Sequence, residues 1–179
     1  MSEFIVSQAL AMIAFGCGIV SFQTRSRRAL LLWLSACATT NACHFFILSQ
    51  PVPAILFLIT GGRCLVASLT VNRKIMYLFF GLILSAFSLT YRNPLEIPSV
   101  VFTLLSNYAS FQKRQETVRL IYMFCTMFWI VHNILVQSPV AALMEATFLT
   151  SNVVGYWRLI HRDQATSLHS GNRTGAGEE

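Results

Sequence analysis

The sequence predicts an all-α membrane protein with seven transmembrane helices, arranged as two parallel three-helix bundles joined by a linker helix. Three observations carry that prediction. Of 179 residues, 55% are apolar and only 11% charged, with a mean hydropathy of +0.59; soluble domains carry about 25% charge. The apolar residues fall in seven runs of membrane-crossing character, without the alternation a barrel strand requires. A five-residue word also recurs. Ser21-Phe22-Gln23-Thr24-Arg25 closes the first run and Ser110-Phe111-Gln112-Lys113-Arg114 closes the fifth, at an offset of 89 positions.

The first run, 4–22, is long enough to span and has no basic leader; Glu3 is the only charged side chain before it. It therefore reads as an uncleaved helix and not as a signal peptide. The second, 29–49, follows Arg25, Arg27 and Arg28. The third, 52–71, opens at Pro51 and Pro53, where a missing backbone amide does no harm. The fourth, 75–91, follows Arg73 and Lys74, and the short fifth, 97–111, carries Pro98 in its first turn. The sixth is 118–136 and the seventh, opening at Pro139, is 140–158. Residues 1–160 thus form one transmembrane domain. The remainder, 161–179, is polar, rich in Gly, Ser and Thr and without periodicity, and is expected to be a disordered cytoplasmic tail.

If the chain alternates sides, Arg25, Arg27, Arg28, Arg73, Lys74, Lys113, Arg114, Arg119, Arg158, Arg162 and Arg173 share one face of the membrane. Arg92 faces the other, with Glu3 and Glu96. Loops rich in Lys and Arg stay in the cytoplasm. The carboxyl terminus is therefore expected inside and the amino terminus outside.

The repeated word extends downstream. His44 falls against His132, and Pro51-Val52 against Pro139-Val140, at an offset of 88. Matches in one order at equivalent points of the hydropathy pattern argue for duplication. Repeat one covers 4–71, the linker helix 75–91 and repeat two 97–158. A three-helix unit ends on the side opposite its start, so one linking helix sets the second unit parallel to the first.

Strongly polar groups inside a span are costly and mark function by default. His44, His132 and Glu145 all lie roughly 6–9 Å below the outer boundary by helical rise, and the two histidines occupy equivalent repeat positions. Facing each other across the axis, they are candidate proton-responsive or substrate-binding groups; the plain alternative is neutral hydrogen bonding between helices. Glu145 shares a helical stripe with Asn152. Arg63 lies near mid-depth in the third span, suited to pair with Glu145 or to bind an anionic group, with snorkelling the alternative. Asn133 neighbours His132 on the face of Trp129. The site predicted for a substrate is therefore His44, His132, Glu145, Asn152, Arg63 and Asn133. Asn41 and Asn107 read as amides that join helices.

Several classes are set aside. The basic residues sit in short loops and form no face interleaved with stacking aromatics, so nucleic acid is not an expected partner. Cysteines 17, 37, 43, 64 and 125 lie within apolar runs without CxxC spacing and read as packing residues. No HExxH, Walker loop, GxSxG elbow or pair of intramembrane aspartates appears. No catalytic residue, metal or cofactor is expected, and the chain is not read as an enzyme.

The runs His44-Phe45-Phe46-Ile47-Leu48, Trp129-Ile130-Val131-His132-Asn133 and Met144-Glu145-Ala146-Thr147-Phe148-Leu149, with Asn152, resemble the YgjV family of bacterial inner-membrane proteins. The resemblance covers nearly all of the chain but the tail. It implies an inner-membrane location, hence a periplasmic amino terminus, and a 3+1+3 fold related to the SWEET, PQ-loop and PnuC transporters. It supplies no substrate. Sugar-carrying SWEETs have kinking prolines in the first helices of their bundles, which spans one, two, five and six lack internally, and their Asn-rich pocket is half matched by Asn152.

The function expected is secondary transport or facilitated passage of a small polar metabolite, in contact with the lipid bilayer, with a homo-oligomer left open. The alternative is a non-transporting membrane protein that binds a partner, in which the same polar residues only lock the bundle.

Overall fold

The computed structural model describes residues 2–49, 51–91, 97–135 and 139–174, and seven α-helices account for nearly all of them. They are α1 (Ser2–Gln23), α2 (Arg27–Ile47), α3 (Pro51–Leu69), α4 (Arg73–Thr90), α5 (Ile97–Ser110), α6 (Gln115–Leu135) and α7 (Pro139–Thr174). No strand occurs among the described residues. The helices begin and end within a few residues of the apolar runs, with one difference. α7 continues past residue 160, where an irregular tail was expected, as far as Thr174. From Asp163 to Ser170 the chain offers neither proline nor glycine to stop it. Arg92 and Glu96, the charges assigned to the outer side, lie outside the described residues, as does Ser138.

Local chemistry explains the boundaries. Ser26 caps α2 by accepting from the Ala29 amide at 3.1 Å, and Asn72 caps α4 by accepting from the Lys74 amide at 2.8 Å. Pro51 and Pro139 open α3 and α7. The turn after α2 uses Ser49 at φ 55°, the left-handed region. Glu3–Gln23, Arg27–Ile47 and Gln115–Leu135 are each 21 residues long and apolar enough to cross a membrane; Ala54–Leu69 and Val100–Ser110 are shorter apolar helices.

α2 lies between α1 and α3, and α6 packs on both α5 and α7. The two groups meet where α1 touches α7 and α3 touches α5, while α4 rests against α3 and α5. α2 and α3 approach closely at Gly61, whose carbonyl accepts from Ser35 Oγ at 2.8 Å; a Cβ there would stand 2.6 Å from Thr39 Oγ1. The outer surface is apolar, with Phe4, Met12, Leu58, Leu89 and Leu143 all exposed, as suits a bilayer solvent. The buried core is uneven. Phe22, Leu30, Ala67, Met76, Phe111 and Val118 all lie near the α1–α2, α3–α4 and α5–α6 connections, the end where the basic residues gather. At the opposite end His44, His132 and Glu145 are only half-buried.

Candidate functional site

The last carbonyls of a helix have no partner within it, and cations are stabilising there. At the end of α1, Arg119 of α6 supplies both. Its Nη1 donates to Phe22 O at 2.8 Å and its Nη2 to Thr24 O at 2.7 Å. Nη1 also donates to Asn152 Oδ1 at 3.1 Å, and Asn152 Nδ2 returns a bond to Arg119 O at 3.0 Å. Arg119 and Asn152 are each 1% exposed. α7 comes this close because residue 155 is glycine: a Cβ there would collide with Phe22 O and stand 2.6 Å from Arg119 Nη1. Ser151 Oγ donates to Ile19 O at 3.1 Å, and Gln23 Nε2 donates to Ser151 Oγ at 2.8 Å, so three helices are stitched at one level.

The end of α5 is held in the same manner. Arg27, the first residue of α2, donates through Nη2 to Ser110 O at 2.5 Å and to Ala67 O of α3 at 2.8 Å, and through Nε to Gln112 O. Arg27 of α2 thus closes on the end of α5 while holding α3, and Arg119 of α6 closes on the end of α1 while holding α7. The carbonyls come from the two copies of the repeated word, Phe22 and Thr24 in the first, Ser110 and Gln112 in the second.

Arg63 occupies the seam between α3 and α5. It is 2% exposed, and its Nη1 donates to Ser106 Oγ at 3.0 Å and Thr103 O at 3.3 Å. Its Nε is buried without a hydrogen-bond acceptor, beside the Cys64 thiol. Tyr122 of α6 adds its hydroxyl, 2.9 Å from Ser110 Oγ and 3.9 Å from Cys64 Sγ. Arg63 does not snorkel, and it makes no ion pair with Glu145. Among the described residues the ion pair formed is Arg114 with Glu116 at 3.2 Å. A cation therefore sits in the helix seam with hydroxyls and a carbonyl for company and no carboxylate.

The remaining predicted residues lie toward the other end. His44 Nδ1 meets Ser7 O of α1 at 2.7 Å and its ring packs edge-on against Phe45, 4.8 Å between centroids. His132 packs edge-on against Trp129 at 5.4 Å, and Asn133 is half-buried beside it. Each histidine is engaged with its own surroundings, His44 with α1 and His132 with its own helix. Glu145 is half-buried on α7 and faces the same interior as Cys37. The structure thus brings Asn152 to the basic end with Arg119, leaves Arg63 at mid-bundle, and keeps His44, His132, Asn133 and Glu145 at the loosely packed end.

Arg27, Arg119 and Tyr122 are absent from the predicted site. The two arginines stand at span ends, where counting loop charges assigns them to water; no spacing distinguishes Tyr122 from a lipid-facing aromatic. Asn107 donates to Met76 O of α4 at 3.1 Å, whereas Gly18 packs against the ring of Phe148.

Comparison with known proteins gives the family. The relative "Inner membrane protein YgjV" of Escherichia coli (strain K12) is 27% identical over 165 residues, which is 90% of each chain. No solved structure matches. A family model described as Imp-YgjV, bacterial inner membrane protein, matches residues 5–163, from the first turn of α1 into α7. The chain belongs to this family of bacterial inner membrane proteins.

Proposed function

We propose that the protein is a secondary transporter or facilitator that carries a small polar metabolite across the inner membrane. Two parallel three-helix units, 4–71 and 97–158, would be joined by α4 in a 3+1+3 arrangement. The packing pairs support this arrangement, because exchanging α1, α2 and α3 with α5, α6 and α7 turns α1·α2 into α5·α6, α2·α3 into α6·α7, and α1·α7 into α3·α5. A substrate path in such folds runs between the units.

The observation that carries the reading is the reciprocal arginine clamp. A structural protein gains most by packing its two halves alike at both ends. Here the units are joined at the basic end by hydrogen bonds from Arg27 and Arg119 to helix-end carbonyls, with the core concentrated beside them. The opposite end keeps its ionisable groups half-buried. The clamp's hydrogen bonds have a small net worth once water can replace the partner, so opening this end would require hydrating both guanidiniums while the core beside them parts. The basic end is taken as cytoplasmic, so the state is closed inward. Glu145 and Arg63 are the substrate-facing candidates, with His44, His132 and Asn133 nearer the mouth. Asn152, fully engaged by Arg119, positions the gate and does not bind substrate. That engagement is also what the rival reading, a non-transporting protein with polar locks, would predict.

The test compares untargeted metabolite profiles of cells lacking the protein, overproducing it, and overproducing Glu145→Gln at matched membrane abundance. A polar metabolite whose level follows the wild-type protein but not the variant supports transport. Identical profiles in all three strains reject it.

A further inference from the structure

One cavity of about 630 Å³ lies apart from the seam between the units, at the basic end, where the α3–α4 and α5–α6 connections come together against α4 and α5. Arg73, the first residue of α4, and Lys113 and Arg114 in the α5–α6 connection line its rim. Tyr77, one turn into α4, and Tyr108, in the last turn of α5, flank it; both are exposed on the outer surface of the bundle, 63% and 44%. Phe111, 5% exposed, forms part of its floor. Beneath, Asn107 ties α5 to α4 through Met76 O, a buried hydrogen bond that fixes the two helices flanking the cavity.

This is the composition of an amphiphile site. Three cations answer a phosphate, the more so beside the positive end of α4. Tyrosines at the membrane interface place an apolar ring along the acyl region and a hydroxyl at headgroup level. Arg114 gives its Nε to Glu116 at 3.2 Å, but the Arg114 side chain is 80% exposed, so the pair is weakened by solvent, and with Arg73 and Lys113 the rim keeps a net positive charge. We propose that the cavity binds the phosphate headgroup of an anionic membrane lipid, with Arg73, Lys113 and Arg114 as its cationic ligands and the tyrosines beside the chains. Headgroup binding would pin α4, which has no counterpart among the other helices, to the second unit. The proposal stands independently of transport.

The full-length protein is placed in nanodiscs of phosphatidylcholine alone or with phosphatidylglycerol, and retained lipid is read by native mass spectrometry. The wild type should keep one phosphatidylglycerol in preference to phosphatidylcholine. Retention should fall roughly fivefold for each of Arg73→Gln, Lys113→Gln and Arg114→Gln, from the attraction of one basic residue to an anionic membrane surface. Lys74→Gln, next in sequence but outside the cavity, should leave retention unchanged. Melting in phosphatidylcholine alone reports whether the variants fold; a variant that melts early is replaced by Arg73→Lys or Lys113→Arg, which should keep the lipid. Equal retention of the two lipids, or full retention in the triple glutamine variant, overturns the proposal. So does displacement of the lipid by millimolar inorganic phosphate, which would make the cavity a site for a soluble anion.

Discussion

Replacing Arg119 with glutamine tests the clamp most directly. The guanidinium makes three hydrogen bonds between 2.7 and 3.1 Å, to Phe22 O, Thr24 O and Asn152 Oδ1, at 1% exposure. Hydrogen bonds from a charged donor are each worth about 1.5–3 kcal/mol. Glutamine is shorter and its two amide N–H donors leave one nitrogen, so it cannot reach Phe22 O, Thr24 O and Asn152 Oδ1 together. At least one of the three acceptors stays buried and short of a donor. Each buried neutral group left unsatisfied costs about 1–3 kcal/mol. With partial recovery the expected loss is about 3 kcal/mol, on the order of a hundredfold in the folding equilibrium. Arg119→Lys keeps the charge but not the fork, and should fall between. Arg158→Gln is the control, since Arg158 is exposed and donates to Gln23 Oε1 at 2.9 Å; its cost should stay within about 0.5 kcal/mol. The measurement is the fraction surviving size-exclusion chromatography after graded heating in one detergent. If Arg119→Gln survives as well as Arg158→Gln, the clamp contributes nothing and the gate argument fails with it. Arg27 makes three comparable bonds but is only half-buried, so water can replace part of what it gives, and Arg27→Gln should cost less than Arg119→Gln.

Two glycines should both resist alanine. At Gly155 the new Cβ meets the Phe22 carbonyl and Arg119 Nη1, groups already committed to each other, and overpacking of this kind costs about 1–3 kcal/mol; at Gly18 it would stand 2.5 Å from the ring of Phe148, which is held against Phe15 and Phe22, so melting should fall there too, while the Arg119 clamp is left intact. Because Arg63 and Glu145 form no ion pair, Arg63→Gln and Glu145→Gln should act additively on membrane abundance; rescue of one by the other would show a pairing absent from this state. Glu145→Gln alone, half-buried and nearly isosteric, should insert at normal levels. A periplasm-active reporter should be silent after Arg162 and active near Ser138, and activity at both would overturn the orientation.

The helices were legible because lipid imposes so strong a constraint. A span must satisfy its backbone internally, so the apolar runs mark seven helices, with most ends within about three residues. The end of α7 was not, because a polar stretch without periodicity carries no signal to distinguish a continuing helix from coil. Polar groups inside the runs were legible as candidates, but their partners were not. Arg63 and Glu145 have suitable charges and neighbouring depths, yet side-chain direction on two helices decides whether they meet, and α3 turns Arg63 toward α5.

Arg27 and Arg119 show why the site and the topology compete for the same residues. Loop-charge asymmetry treats each arginine near a span end as a solvated charge, and that suffices for orientation. It cannot see that a guanidinium at the first residue of a helix, as in Arg27, or one turn into it, as in Arg119, reaches sideways to a neighbouring helix end, where oriented carbonyls offset its desolvation. The repeated word held the missing half of the information. Its side chains drew notice as a match, but in both copies the backbone carbonyls are what the arginines grip: Phe22 and Thr24 for Arg119, Ser110 and Gln112 for Arg27. A carbonyl is present whatever the residue, so the word recurs for the chain turn that aims those carbonyls, in which Ser21 Oγ bonds Gly18 O and Ser110 Oγ bonds Ser106 O. Changing Ser21 or Ser110 to alanine should therefore weaken the clamp on that copy alone. A change that lowered stability equally with or without Arg119, for Ser21, or Arg27, for Ser110, would separate the word from the clamp.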